Sequence, residues 1–131
     1  MMVVDASALI AVLQKEPERD AFIGVIGRTS PVFASVVTIQ EAAMVMFSRH
    51  GQTGLDELRQ FLKDGDITIL PYDEPQLNAA IDAFIRYGKG VNSKARLNLG
   101  DCASYALAKT MNMPLLFKGN DFTATDIVAV P

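Results

Sequence analysis

The sequence has little of the chemistry that nucleophilic or zinc-dependent enzymes need. Its 131 residues include one cysteine, Cys102, and one histidine, His50. A single cysteine excludes an intramolecular disulfide, fits a reducing compartment and cannot by itself form a zinc site. Cys102 falls inside a predicted helix, where we expect it to pack, and His50 stands at a helix end, where we expect a surface position. No Ser, Cys or His side chain is therefore predicted as a nucleophile.

Long apolar runs and an excess of positive charge are also missing. No run approaches the roughly 18 apolar residues of a membrane span, and residues 1–5 lack the basic region of a signal peptide. We therefore expect a cytoplasmic protein. The 12 basic and 15 acidic side chains give a net charge of −3. The chain has no overall positive charge that would indicate nucleic-acid binding, although a metal ion or a local basic strip can also bind a nucleic-acid backbone.

What the chain does contain is a regular alternation of strand and helix patterns. Half of its residues are hydrophobic, which excludes disorder, and the length predicts one domain over residues 1–131. Successive βαβ units predict a three-layer α/β/α sandwich with a mainly parallel sheet. The predicted strands are residues 3–4, 32–34, 67–70, 114–117 and 127–130, and the predicted helices are residues 8–13, 16–28, 37–49, 53–65, 73–88 and a last one from residue 99.

Two groups of large apolar side chains are predicted to lie in the core. One is a stripe at helical spacing in the helix that starts near residue 73. Its members are Leu77, Ile81, Phe84 and Ile85. The other is a cluster in the helix over residues 37–49, for which contact with a partner is the alternative. Its members are Met44, Met46 and Phe47.

Four acidic residues stand at the ends of predicted elements or among apolar neighbours, where a carboxylate is costly to bury. Asp5 ends the first strand, and Ser7 is predicted to cap the next helix. Glu41 shares an apolar side of its helix. Asp101 lies in a first helical turn, where the helix dipole favours a carboxylate by roughly 0.3–1 kcal/mol, and Asp121 follows the fourth strand. Ligands of open parallel sheets bind beyond the carboxyl ends of the strands, so we expect these acids to gather there.

Each of these acids also has an ordinary interpretation as a helix cap, a turn residue or a surface acid. Together they favour a metal site, because gathered carboxylates repel one another and a hard divalent cation neutralises them. Mg²⁺, with Mn²⁺ as a possible substitute, takes only a few carboxylates and leaves coordination positions for phosphate oxygens. The pattern therefore predicts metal-assisted hydrolysis of a phosphodiester.

Four motifs then resemble those of PIN-domain proteins, and among these the VapC ribonuclease toxins of bacterial toxin–antitoxin pairs. The motifs lie at residues 5–9, 38–42, 100–108 and 115–122. They follow the family's order and together cover essentially the whole chain. The third motif, GDCASYALA, and the fourth, LLFKGNDF, are the specific ones.

The resemblance implies a magnesium-dependent endoribonuclease that cuts tRNA or rRNA, is usually a homodimer, and is held inactive by a cognate antitoxin. The residues that match the family's functional positions are Asp5, Glu41, Asp101 and Asp121 for the catalytic metal site, with Ser7 and Asn120 in supporting positions. Many relatives carry more than one acid in the last motif, whereas here Asp121 is its only acid and Asp126 is the fallback.

A basic loop precedes the third motif. Its Lys89, Lys94 and Arg96 are predicted to guide the RNA backbone, with a solvated charged loop as the ordinary interpretation.

Two functions of other classes stay open at this point. One is a phosphoacceptor signalling domain, because Asp73 follows the third strand and Lys118 the fourth. Such a domain has paired acids after its first strand, whereas here Asp5 is followed by Ala6 and Ser7. The other is a catalytically silent PIN-like module that binds protein or RNA, which the weak last motif permits. Divalent-metal binding without RNA turnover would favour the silent module.

Overall fold

The computed structural model describes residues 1–131 as a four-stranded parallel sheet covered by helices on both faces. The strands are β1 Met2–Val4, β2 Val32–Ser35, β3 Ile67–Leu70 and β4 Leu115–Leu116. The helices are α1 Ala6–Leu13, α2 Arg19–Gly27, α3 Val36–Asp64, α4 Glu74–Tyr87 and α5 Leu99–Met111. No helix combines the length and apolar character of a membrane span.

The strand order is β3-β2-β1-β4, and every pairing is parallel. β1 is therefore central, with Val3 opposite Phe33 of β2 on one side and opposite Leu115 of β4 on the other. The chain runs outward from β1 to β3 and returns to β1's free side for β4. This reversal of strand order opens a crevice at the carboxyl end of β1.

Val3 and Val4 show why the sheet is covered on both faces. Neighbouring side chains of a strand point to opposite faces, and both valines are fully buried. Val4 packs with Leu9 and Leu58 in a core formed mainly by β1, α1 and α3. Val3 packs with Leu107 in a second core that includes α4 and α5. These two cores make the predicted three layers.

The long helix α3 is broken at Gly51, where the sequence predicts a boundary between two helices. Gly51 has φ 63° and ψ −148°, a conformation outside the helical region that only glycine adopts readily. The residues on either side remain helical. The predicted separation at this glycine is therefore confirmed.

The prediction for the apolar stripe of α4 is wrong. Its side chains are exposed, with relative exposures of 45% for Leu77, 51% for Ile81, 44% for Phe84 and 63% for Ile85. The buried residues of α4 are Gln76, Ala80 and Ala83. Because successive helical positions are about 100° apart, the stripe one position later faces a different direction. The two alanines are small enough to let α4 pack closely on α5.

The core assignment of the methionine cluster is only partly correct. Met46 is fully buried, whereas Met44 and Phe47 are exposed. Met46 continues the buried stripe of Thr38 and Ala42 at a spacing of four residues. Met44 and Phe47 fall outside that stripe and face the surface.

The predicted last strand over residues 127–130 is reduced to an isolated parallel bridge between Leu115 and Ala129. Leu115 donates to the carbonyl of Val128 and accepts from the amide of Val130. β4 itself has only two residues. Residues 127–130 therefore have only a short strand with which to pair.

Candidate active site

Asp5 lies at the carboxyl end of the central strand and caps α1. It is only 3% exposed. Its Oδ2 accepts hydrogen bonds from the Ser7 amide at 3.1 Å and the Ser7 hydroxyl at 2.6 Å. The N-cap of α1 is thus Asp5, whereas the sequence predicts Ser7 in that role. Ser7 still supports Asp5, and its Oγ accepts a hydrogen bond from the Lys118 amide at 3.0 Å.

Two further hydroxyls, which the sequence analysis does not identify, lie behind Asp5. Ser104 donates to Asp5 Oδ1 at 2.5 Å, and Thr38 lies 3.0 Å from Ser104. Both residues are fully buried. In the sequence, Ser104 follows Asp101 by three positions in an otherwise apolar part of α5. A polar residue at that spacing could have indicated a role beside the acids. Asp5 is therefore held by hydroxyls from α1 and α5.

Asp101 lies in the first turn of α5 as predicted. Its Oδ2 accepts from the Asn98 amide at 3.1 Å, and the Asn98 side chain accepts from the Asp101 amide at 2.9 Å. This reciprocal pair is a capping box. Burial, which is the largest cause, and the negative charges of Asp5, Asp121 and Glu41 together raise the pKa of Asp101 to about 7, although the hydrogen bond from the Asn98 amide lowers it.

Glu41 projects from α3 towards the start of α5. A Cβ atom at Gly100 would lie 2.3 Å from Glu41 Oε1, so only glycine leaves room for this carboxylate. Burial raises the pKa of Glu41, and the charge of Asp5 adds to this effect. Glu41 also lines an open groove of about 470 Å³ between α3 and the start of α5. The Glu41 carboxylate is therefore accessible from the surface.

The residues of the last motif lie at the margin of this group of carboxylates or outside it. Asp121 is exposed, but its charge acts on Asp101. The Asn120 side chain forms no hydrogen bond within the chain; its backbone carbonyl accepts from Thr123. The fallback residue Asp126 lies elsewhere, bound to the Tyr105 hydroxyl at 2.5 Å and to Lys109 at 3.1 Å. Asp126 is not among the charges that shift the pKa of Asp101.

The structure thus brings Asp5, Glu41 and Asp101 within electrostatic reach of one another, with Asp121 at their edge. No group of three or more His, Cys, Asp or Glu side chains lies close enough together to hold a metal ion as placed. The charged groups that raise the pKa values of Glu41 and Asp101 are all carboxylates. An oxygen-only donor set without a compensating basic side chain fits a hard divalent cation.

The basic loop connects α4 to this site. Lys89, Lys94 and Arg96 are all exposed. The loop is closed by reciprocal backbone hydrogen bonds that link Tyr87 and Lys89 to Leu97. It leads directly into Asn98, which shares the capping box with Asp101. The three cations therefore stand on a segment that is tied to the site at its end.

The residues on which other chemistries would depend are engaged elsewhere. Burial raises the pKa of the Cys102 thiol to about 11, so the thiolate nucleophile is disfavoured. His50 is exposed and bonded to Gln14 at 3.0 Å. Asp73 caps α4, and the Lys118 ammonium binds Glu16 at 2.6 Å. Asp73 and Lys118 are thus engaged with other partners, in a helix cap and an ion pair.

Comparison with known proteins shows which family the chain belongs to. The family model of the PIN domain matches residues 2–128. Over 129 residues the chain is 43% identical to a Ribonuclease VapC of Mycolicibacterium smegmatis. The alignment covers 98% of this chain and 99% of the relative.

Two solved structures share the fold. VapC20 of Mycobacterium tuberculosis, a Sarcin-Ricin loop cleaving toxin, has a TM-score of 0.79 at 14% identity, covering 99% of this chain and 98% of that one. A toxin–antitoxin complex from Klebsiella pneumoniae has a TM-score of 0.76 at 17% identity, covering 100% and 98%. At these identities both support the fold alone.

The chain therefore belongs to the PIN-domain family and, within it, to the VapC ribonucleases. The resemblance and the α/β/α sandwich expected from the sequence are both confirmed.

Proposed function

We propose that this chain is a metal-dependent endoribonuclease, the toxin of a toxin–antitoxin pair, which acts as a single PIN-like domain over residues 1–131. The observation that carries the proposal is the group of carboxylates beyond the carboxyl end of β1. Asp5 is buried there, and Asp101 and Glu41 have raised pKa values because they are partly buried near other acids. Membership of the VapC ribonucleases supports RNA as the substrate.

Asp5 and Asp101 would hold Mg²⁺ or Mn²⁺ directly, with Glu41 as a direct or water-mediated ligand and Asp121 completing the site. When bound, such an ion lowers the pKa of water and neutralises charge on the phosphodiester. Ser7 keeps Asp5 in place through two hydrogen bonds. Gly100 allows the Glu41 carboxylate to approach α5. Asn120 would orient a water or a phosphate oxygen from the last turn.

The remaining parts of the proposal concern partners. We propose a cognate antitoxin, a homodimer and a cytoplasmic location, with tRNA or rRNA as the target, because the chain belongs to the VapC ribonucleases. Lys89, Lys94 and Arg96 would contact the RNA backbone, since all three are exposed on the loop that leads into α5. The local basic loop would offset the overall charge of −3.

The test is cleavage of defined tRNAs and rRNA fragments by antitoxin-free protein, with Mg²⁺, with Mn²⁺ and with chelator. We expect metal-dependent cleavage that Asp101→Asn abolishes. The matched control is Asp66→Asn, an exposed acid whose φ of 50° asparagine also tolerates. Equal residual cleavage by wild type and Asp101→Asn would contradict the assigned site and indicate a contaminating nuclease.

The silent binding module gives a different result in the same experiment. It would bind Mn²⁺ in calorimetric titration and shift RNA in a binding assay, but cut none of the substrates. If the wild type neither binds Mn²⁺ nor cleaves RNA, the result contradicts the metal site, both for the ribonuclease and for the silent binding module.

A further inference from the structure

Two fully buried hydroxyls connect α3 and α5 to Asp5. Ser104 Oγ lies 2.5 Å from Asp5 Oδ1, and Thr38 Oγ1 lies 3.0 Å from Ser104 Oγ. An aspartate that binds a metal is ionised and can only accept hydrogen bonds. Ser104 therefore donates its proton to Asp5, and Thr38 donates to Ser104. The direction of the whole series is fixed by the carboxylate at its end.

The other oxygen of Asp5 is also engaged. Oδ2 accepts from the amide and the hydroxyl of Ser7. An ionised carboxylate has about four acceptor positions, two on each oxygen. The two bonds from Ser7 fill those of Oδ2, and Ser104 takes one on Oδ1. One acceptor position remains, and it belongs to Oδ1.

We propose that Ser104 and Thr38 are positioning residues that orient Asp5 and leave its remaining acceptor position on Oδ1 for the divalent cation. The inference rests on the proposed function, because it concerns the same metal site. A serine hydroxyl buried in an apolar helix is unfavourable unless it is hydrogen-bonded. Here its two partners are Asp5 and Thr38. Partners behind the ligating side chains commonly control metal affinity.

The test is calorimetric titration of metal-free protein with Mn²⁺. We expect Ser104→Ala and Thr38→Val to weaken Mn²⁺ binding by about 10- to 100-fold. Ser104→Thr keeps a hydroxyl and should stay within a few-fold of wild type. Raising the Mn²⁺ concentration should restore RNA cleavage by Ser104→Ala, which it could not do for a variant that is merely unfolded.

Tyr105→Phe is the matched control, because it also removes a buried hydroxyl of α5. That hydroxyl binds Asp126, which lies outside the acidic group. We expect a lower melting temperature with unchanged Mn²⁺ affinity. Wild-type affinity in Ser104→Ala, or equal weakening by Tyr105→Phe, would overturn the positioning role while leaving the proposed function intact. Absence of Mn²⁺ binding by wild type would overturn both.

Discussion

At the scale of single residues, the ionisation of Asp101 depends strongly on its surroundings. Its pKa is about 7 because it is largely buried near Asp5, Asp121 and Glu41. Between about pH 4 and 7 the folded protein then holds a proton that the unfolded chain has released. Metal-free protein therefore loses stability as the pH rises through this window.

Asp101→Asn tests that effect, since asparagine is neutral at every pH and can still accept from the Asn98 amide. We expect equal stability near pH 4, and at pH 8 a variant more stable than wild type by about 1–2 kcal/mol after allowance for solvent screening. Urea denaturation of metal-free protein measures both values. A difference that does not change with pH would contradict the raised pKa.

Gly100 tests the space that Glu41 needs. The methyl group of Gly100→Ala would displace the Glu41 carboxylate, and a misplacement of this kind can lower cleavage by about 100-fold. The melting temperature should change little, because alanine is favoured over glycine in a helix by about 1 kcal/mol. Gly27→Ala is the control, since an added Cβ there has no atom within 4 Å. Full activity of Gly100→Ala would show that Glu41 can move without consequence.

At the scale of elements, α4 shows the limit of pattern analysis. The spacing of Leu77, Ile81, Phe84 and Ile85 correctly indicates a helix, but not which side of that helix the sheet and α5 cover. Contact with α5 is made by smaller residues, among them Ala80 and Ala83. Periodicity records which side chains share a face, whereas the direction of the face depends on how closely a neighbouring helix can approach.

The orientation of α4 can be measured by paired substitutions. Ile85→Gln on the exposed side should change the free energy of unfolding by less than about 0.5 kcal/mol. Ala83→Leu on the buried side should destabilise the protein by about 1–3 kcal/mol through overpacking. Urea denaturation of both variants is the measurement. A larger loss for Ile85→Gln than for Ala83→Leu would restore the burial predicted from the sequence.

At the scale of the whole molecule, the proposed function requires an acidic chain to bind an RNA backbone, and the proposed contact is the basic loop with Lys89, Lys94 and Arg96. The test is the dependence of RNA binding on salt, measured in the Asp101→Asn background, for which we expect no cleavage. Each phosphate contact with single-stranded RNA contributes about 0.7 to the slope of log K against log salt. Replacing all of Lys89, Lys94 and Arg96 by glutamine should therefore reduce that slope by about 2.

A second triple variant with the same change of charge separates the loss of phosphate contacts in the loop from a general effect of net charge. The exposed residues Lys15, Arg59 and Lys63 are not part of the loop, and their replacement by glutamine should leave the slope nearly unchanged. An equal reduction by both triple variants would mean that the loop has no specific role.

The sequence by itself determined the element types, the parallel sheet and the four acids that the site proposal uses. Strand and helix patterns are local, and an acid at the end of an apolar run is visible without coordinates. The roles of those acids stay predictions. The departures are the exposed apolar stripe of α4, the two-residue β4, the isolated bridge at Ala129 and the exposed Met44 and Phe47.

Only the tertiary structure decided what surrounds each acid. Ser104 reaches Asp5 across 99 positions of the chain, and Thr38 reaches Ser104 across 66. Such contacts arise because the strand order places β1 at the centre, where α1, α3 and α5 meet at its carboxyl end. No local sequence pattern predicts these contacts, because they depend on how separate helices and strands pack against one another.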